Sequence, residues 1–185
     1  GQVPLYYNHV NTGRPPRDYN FAKDKDFSDE FQLESGYNSN YLDVSPYPLF
    51  PFGYGLSYAE FEYGEVELST KRLKDGQVLA VRVPVTNKGK VAADEVVQVY
   101  VRDLVGSITR PVRELKAFRR IHLAPGESEV LEFAISTNNL KFYNNDGELL
   151  LEPGKFELYV GGSSLAPLAG EFEVVGLEEA TIDPG

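Results

Sequence analysis

The residues able to do chemistry are few in kind. Two histidines, His9 and His122, stand among 28 acidic side chains, and there is no cysteine. Without thiols the chain has no disulfide, no thiolate metal site and no cysteine nucleophile. Two distant histidines make a poor ligand set, so no metal is expected. His9 lies in "YYNHVNTGRPP", beside Asn8, Asn11, Thr12 and Arg14. Such a loop offers the mixed donors and acceptors that sugar hydroxyls need. Asn8, His9, Asn11 and Arg14 are therefore substrate-loop candidates, and a plain structural turn is the competing reading. His122, in "RRIHLAPGE", reads as a surface or edge position at a strand end.

Hydrolysis of a glycosidic bond requires two carboxyl groups facing each other across a pocket. Most of the acidic residues here alternate with apolar ones, as in "EYGEVELS" and "EFEVV". That pattern describes solvated strand faces. No serine elbow, phosphate loop or dinucleotide fingerprint is present, and no cofactor is expected. "FGYGL" (52–56) lacks the lysine and the following helix of a phosphate loop.

The net charge of −10 argues against a nucleic-acid partner and against an anionic membrane. No apolar run reaches the 18 or so residues that span a bilayer. One stretch reverses the charge. "VRDLVGSITRPVRELKAFRRIHL" (101–123) carries Arg110, Arg113, Lys116, Arg119 and Arg120. These cations could meet an acidic neighbouring domain, or balance acidic strands beside them. Methionine is absent, which implies a chain that is processed or belongs to something longer.

The elements that must position these groups are strands. "FEYGEVELS" (61–69), "QVLAVRVPVTN" (77–87), "EVVQVYVRDL" (95–104), "SEVLEFAI" (128–135), "KFELYVG" (155–161) and "GEFEVVG" (170–176) alternate at period two. In the second of these, Leu79, Val81, Val83 and Val85 share one face. Turn residues fill the gaps, with glycines at 76, 89, 126, 147 and 154. "TRP" (109–111) reads as a turn or crossover between two strands, because proline cannot donate to a central ladder. Strands at this spacing predict a mainly β fold, an immunoglobulin-like or fibronectin type III-like β-sandwich, over residues 58–176. Tyr63, Tyr100, Tyr143 and Tyr159 are expected in its core or rim rather than on a sugar-stacking platform.

Residues 1–57 differ. They hold about one strand-like run and a charged stretch, too little for a core of their own. Between the halves lies "PLFPFGYGLSY" (48–58), with Phe50, Phe52, Tyr54 and Tyr58 among two prolines and two glycines. This composition denies it a helix or a long strand. Rings left exposed there would favour self-association.

"GQVPLYYNHVNTGRPP", "YLDVSPYPLFPFGYGLSY", "VTNKGKVAADEVVQVYVRD", "TRPVRELKAFRRIHLAPGE" and "EPGKFELYVGGSS" occur here in that order. Together they resemble the C-terminal region of glycoside hydrolase family 3, of the three-domain β-glucosidase and β-xylosidase type. The resemblance implies that residues 1–57 are the tail of an α/β sandwich domain and an aromatic linker, whose Phe50, Phe52, Tyr54 and Tyr58 are expected to staple two domains together. It makes residues 58–176 the fibronectin type III-like domain, and 177–185 a flexible tail. It also implies that the nucleophile and acid/base carboxyls lie outside this chain. The expected function is then a non-catalytic part of a retaining β-glucosidase-like enzyme, bracing its catalytic domains. Its partners would be those domains and, through them, a β-glucoside or oligosaccharide. A stand-alone carbohydrate-binding module and a homodimerising module are the alternatives. By analogy with the family the location is periplasmic or extracellular.

Overall fold

The computed structural model describes residues 50–108 and 110–176. The smaller sheet is organised around β4 (Val78–Asn87). Along one side β4 pairs antiparallel with β7 (Ser128–Ser136) over its length, from Val78 opposite Ser136 to Thr86 opposite Ser128. Along the other side lie two short strands, β1 (Phe61–Tyr63) and β2 (Glu67–Leu68).

Pro84 explains why that side is broken. In an antiparallel ladder the N–H and C=O of one residue point the same way. The Pro84 carbonyl accepts from the Gly64 amide at 2.8 Å. Its missing N–H therefore faces Gly64, just past the end of β1, and the ladder bond to the Gly64 carbonyl is not made. Gly64 is exposed, so a proline sits inside a well-paired strand where the unmet carbonyl is open to water. The alternating run expected over 61–69 becomes two strands for this reason.

The larger sheet runs β3-β11-β10-β5-β6. Its members are β3 (Arg72–Lys74), β5 (Ala93–Asp103), β6 (Glu114–Leu123), β10 (Gly154–Gly161) and β11 (Leu168–Val175). All neighbours are antiparallel except β3 and β11. A small hairpin, β8 (Phe142–Tyr143) with β9 (Leu149–Leu150), follows a single 3-10 turn at Thr137–Leu140. The fold is mainly β, and the sheets meet as a sandwich.

Leu79, Val81, Val83 and Val85 of β4 face Val97, Val99 and Val101 of β5, Phe156, Leu158 and Val160 of β10, and Leu131, Phe133 and Ile135 of β7 in one apolar core. Phe156 and Phe172 stack at 5.3 Å within it. The period-two alternation of the sequence locates these residues correctly, because each strand has one face in this core.

The turns divide into two kinds. Gly76, Gly126 and Gly147 take positive φ, as the Asp-Gly and Pro-Gly pairs predict. Gly89, in Asn-Lys-Gly, and Gly154, in Pro-Gly, do not. Gly154 opens strand β10. At Gly89 the turn is held by a side chain instead. Asn87 is fully buried, and its Oδ1 accepts from the Gly89 amide at 2.8 Å. Its Nδ2 donates to the carbonyls of Val91 at 2.8 Å and Leu123 at 2.9 Å. One amide thus joins the end of β4 in the smaller sheet to the end of β6 in the larger.

Asn87→Ala would leave an amide and two carbonyls without partners. The expected cost is about 2–3 kcal/mol, since a buried unsatisfied group costs about 1–3 kcal/mol. The neighbouring Thr86→Ala, which removes only an exposed hydroxyl pair with Ser128, should stay within about 0.5 kcal/mol. Urea unfolding of the two variants, followed by far-UV circular dichroism, checks the difference.

Candidate functional site

A sandwich sheet ordinarily turns one face to water. The larger sheet does not. Residues 97–101 of β5 and 156–161 of β10 are buried on both faces. The outward side chains of these strands are Gln98, Tyr100 and Arg102 on β5, and Glu157 and Tyr159 on β10. In the ladder, Gln98 lies opposite Gly161, Tyr100 opposite Tyr159, and Arg102 opposite Glu157. The exposures of Gln98 (4%), Tyr100 (2%), Glu157 (2%) and Tyr159 (4%) are those of a core.

Two register shifts flank the tyrosine pair. One falls on β6, where Ala117 faces Val99 but Leu115 faces Tyr100. The other falls on β11, where Gly170 faces Leu158 but Leu168 faces Tyr159. An extra residue in a strand re-aims the side chains next to it. Here Leu115 packs against Tyr100, Tyr159 and Ala166 to form a second, smaller core outside the sandwich.

Burying polar groups costs free energy unless they are paired. This layer is paired throughout. The Tyr100 hydroxyl donates to Gln98 Oε1, and the Tyr159 hydroxyl donates to Glu157. Arg102 donates to Glu157 at 3.2 Å. Burial, followed by the Glu157 carboxylate, pushes the Tyr159 phenol above its ordinary value. Arg113 lies 3.6 Å above the Tyr159 ring centre, a cation–π contact. The same guanidinium donates to the carbonyls of Ser164 and Ala166, each at 2.8 Å. Burial lowers the Arg113 pKa.

The other cations of the basic stretch also find partners within the chain. Arg110 reaches Glu114 at 3.1 Å and Asp103 at 3.6 Å, and lies over the Phe142 ring. Lys116 pairs with Glu114, and Arg120 with Asp94. Arg119 donates to the Glu132 carbonyl at 3.3 Å. The "TRP" stretch lies in the connection from β5 to β6, with Pro111 outside either strand. His122 is exposed on the edge strand β6, with Nδ1 2.7 Å from Asp94.

The aromatic connector runs over one end of this layer. Pro51, Phe52, Gly53 and Tyr54 form a tight turn, closed by the Tyr54 amide on the Pro51 carbonyl at 3.0 Å. Gly53 supplies the positive φ of 78° that the turn requires. The Phe52 carbonyl accepts from the Ser164 amide at 2.8 Å. Phe50 and Tyr54 stack at 5.2 Å. All four rings of the candidate staple are exposed on this chain, from Phe52 at 37% to Tyr58 at 100%. A cavity of about 300 Å³ lies between the connector and β5, lined by Tyr54, Ser57, Asp94, Glu95, Gly162 and Ser163. Glu95 accepts from the Tyr63 hydroxyl at 2.6 Å, and burial, with Glu95, raises the Tyr63 pKa.

Three sequence expectations need amendment or placement. Glu157 does not lie on a solvated face, because loops cover the outside of its sheet. Tyr100 and Tyr159 are buried as expected, yet in the outer core rather than the main one, and Tyr143 is 66% exposed. Asn8, His9, Asn11 and Arg14 lie outside the described residues. Gln98 and Glu157 escaped the sequence reading altogether. Their signal was faint: "QVY" and "ELY" each place a polar residue and a tyrosine on the same strand face. Among the described residues no cluster of His, Asp and Glu could hold a metal ion, and no helix is long and apolar enough to cross a membrane.

Comparison with known proteins fits this architecture. Residues 95–164 match the model of the fibronectin type III-like domain. The chain is 42% identical over 176 residues to a periplasmic β-glucosidase of Salmonella typhimurium, covering 95% of this chain and 21% of that protein. It is 42% identical over 132 residues to a putative β-xylosidase of Formosa agariphila, covering 71% of this chain and 18% of that protein. A crystal structure of β-glucosidase from Listeria innocua in complex with gluconolactone superposes with a TM-score of 0.76 at 39% identity, over 94% of this chain and 22% of that one. The chain thus spans about a fifth of the length of these relatives. With its fibronectin type III-like sandwich and its ordered motifs, it belongs to glycoside hydrolase family 3 of the β-glucosidase and β-xylosidase type, as part of the C-terminal region of such enzymes.

Proposed function

We propose that this region is the non-catalytic brace of a retaining β-glucosidase-like enzyme. In this reading residues 1–57 complete an α/β sandwich domain and lead through the aromatic connector into the sandwich of residues 58–176. Asn8, His9, Asn11 and Arg14 then belong to the preceding domain, on a loop suited to sugar hydroxyls. The nucleophile and the acid/base stand about 5–5.5 Å apart on the catalytic domains, as retention requires. The substrate is a β-glucoside or a related oligosaccharide, and the site of action is the periplasm or the exterior, like that of the Salmonella relative.

One observation carries the reading. Phe50, Phe52, Tyr54, Leu56 and Tyr58 are exposed in succession, at 42%, 37%, 48%, 90% and 100%, in a segment whose backbone is tied at Pro51, Phe52 and Tyr54. So much apolar surface in one place marks a contact site. Its position, where the chain enters the sandwich, makes the preceding domain the natural occupant.

Two measurements check this function. The 185-residue chain should release no p-nitrophenol from a β-glucoside, and glucose or cellobiose should not raise its melting temperature. Turnover would overturn the non-catalytic reading, while a thermal shift without turnover would favour a carbohydrate-binding module. Tyr58→Ala should change the stability of this chain by no more than about 0.5 kcal/mol, since the ring is exposed. In an enzyme carrying the other domains it should cost about 3–5 kcal/mol, the range for losing a fully buried ring. Equal effects in the two settings would remove the staple.

A further inference from the structure

The connector's shape is decided by residues far from it in sequence. Phe50, Phe52 and Tyr54 keep 42%, 37% and 48% of their surface exposed, so apolar burial fixes the turn only in part. Polar contacts with the segment 162–167, between β10 and β11, add to the hold. The Ser164 amide donates to the Phe52 carbonyl at 2.8 Å. That segment is itself fixed from two sides. Gln98 Nε2 donates to the Gly162 carbonyl at 2.6 Å, and Arg113 donates to the Ser164 and Ala166 carbonyls.

Gln98 also touches the connector directly. A β-carbon on Gly53 would stand 2.3 Å from Gln98 Oε1, so the turn rests on the amide. Gly161, opposite Gln98 in the ladder, leaves room for the segment to fold back, since a β-carbon there would meet that of Ala166 at 2.9 Å. Both holding side chains are locked in their turn. Gln98 accepts from Tyr100, and Arg113 is stacked on Tyr159. The outer polar layer thus reads as a support whose last members are backbone carbonyls.

We infer that Gln98 and Arg113 are the positioning residues of the docking surface: through the segment 162–167 they hold the turn 51–54 in the one shape that presents Phe50, Phe52 and Tyr54 to a partner domain. This rests on the bracing reading for its purpose, and on the geometry above for its mechanism. It also gives Arg113 a task that charge balance does not require, because its hydrogen bonds go to neutral carbonyls.

Two nearly isosteric changes isolate the effect. Gln98→Met keeps the length of the side chain and removes both the donor to Gly162 and the acceptor of the Tyr100 hydroxyl, which is why the cuts within the strands are read alongside. Arg113→Lys keeps the charge and removes the two-pronged, stacked fork. Brief digestion of the 185-residue chain with chymotrypsin, read by mass spectrometry, reports cleavage after Phe52 and Tyr54 as fragments beginning at Gly53 and Gly55. Cleavage of a native chain follows the population of its opened form.

Both variants should release those fragments at least about tenfold faster than the parent. Cuts within the strands should keep pace only with any loss of global stability. An unchanged rate at the connector, or a rise there no larger than within the strands, would overturn the inference. Should either variant fail to fold, amide hydrogen exchange on the unaltered chain decides. The Ser164 and Tyr54 amides should share one opening event, and an unprotected Ser164 amide would refute the clamp. Neither readout involves a catalytic domain or a sugar. A failure here is therefore separate from a failure of the bracing reading, which the Tyr58 comparison tests.

Discussion

Burial of the larger sheet on both faces is the constraint from which the rest follows. A strand with one face in the core and the other in water can carry any polar residue outward. Once loops cover that second face, each polar atom on it needs a partner. Gln98, Tyr100, Arg102, Glu157 and Tyr159 meet this demand among themselves and through Arg113. A buried ion pair such as Arg102–Glu157 adds little net stability, because desolvation offsets much of the attraction. What it does impose is uniqueness: few arrangements of these strands and loops satisfy every group at once.

That uniqueness matters for a region with an exposed aromatic segment. Apolar rings on a loose chain would collapse onto whatever lay nearest. Here the turn at Pro51–Tyr54 is tied by backbone hydrogen bonds and rests on a buried amide, so the rings keep their outward aim. The conformational cost of ordering the turn is met on folding, which in the proposed bracing role would lower the cost of docking. Within the basic stretch of residues 110–120, Arg113 serves the same end by holding the carbonyls of Ser164 and Ala166. Lys116, Arg119 and Arg120 pair with residues on strands instead.

The sandwich itself was legible in the sequence. Period-two alternation in "QVLAVRVPVTN", "VVQVYV" and "SEVLEFAI" named the core residues, because each strand has a face that must leave water. Asp-Gly and Pro-Gly pairs named three of the turns for equally local reasons. Gly89 and Gly154 looked the same in sequence and behaved differently. In the first case Asn87 closes the turn with its side chain, and in the second the glycine begins a strand. Pro84 lies inside a strand that the alternation names, and the break between β1 and β2 opposite it is visible only in the folded ladder.

The order of the motifs determined the family and the fold class, since these depend on residue types and spacings that a sequence states outright. The outer layer could not be read this way. Alternation tells which residues share a face and is silent on whether that face is later covered. Glu157 looks like any solvent-facing glutamate until Arg113 and the segment 162–167 close over its sheet. Gln98 acquires its role only because the chain returns, some 60 residues on, to place the Gly162 carbonyl against its amide. Contacts between residues so distant along the chain depend on how loops cross over strands, and that is decided by the tertiary structure alone.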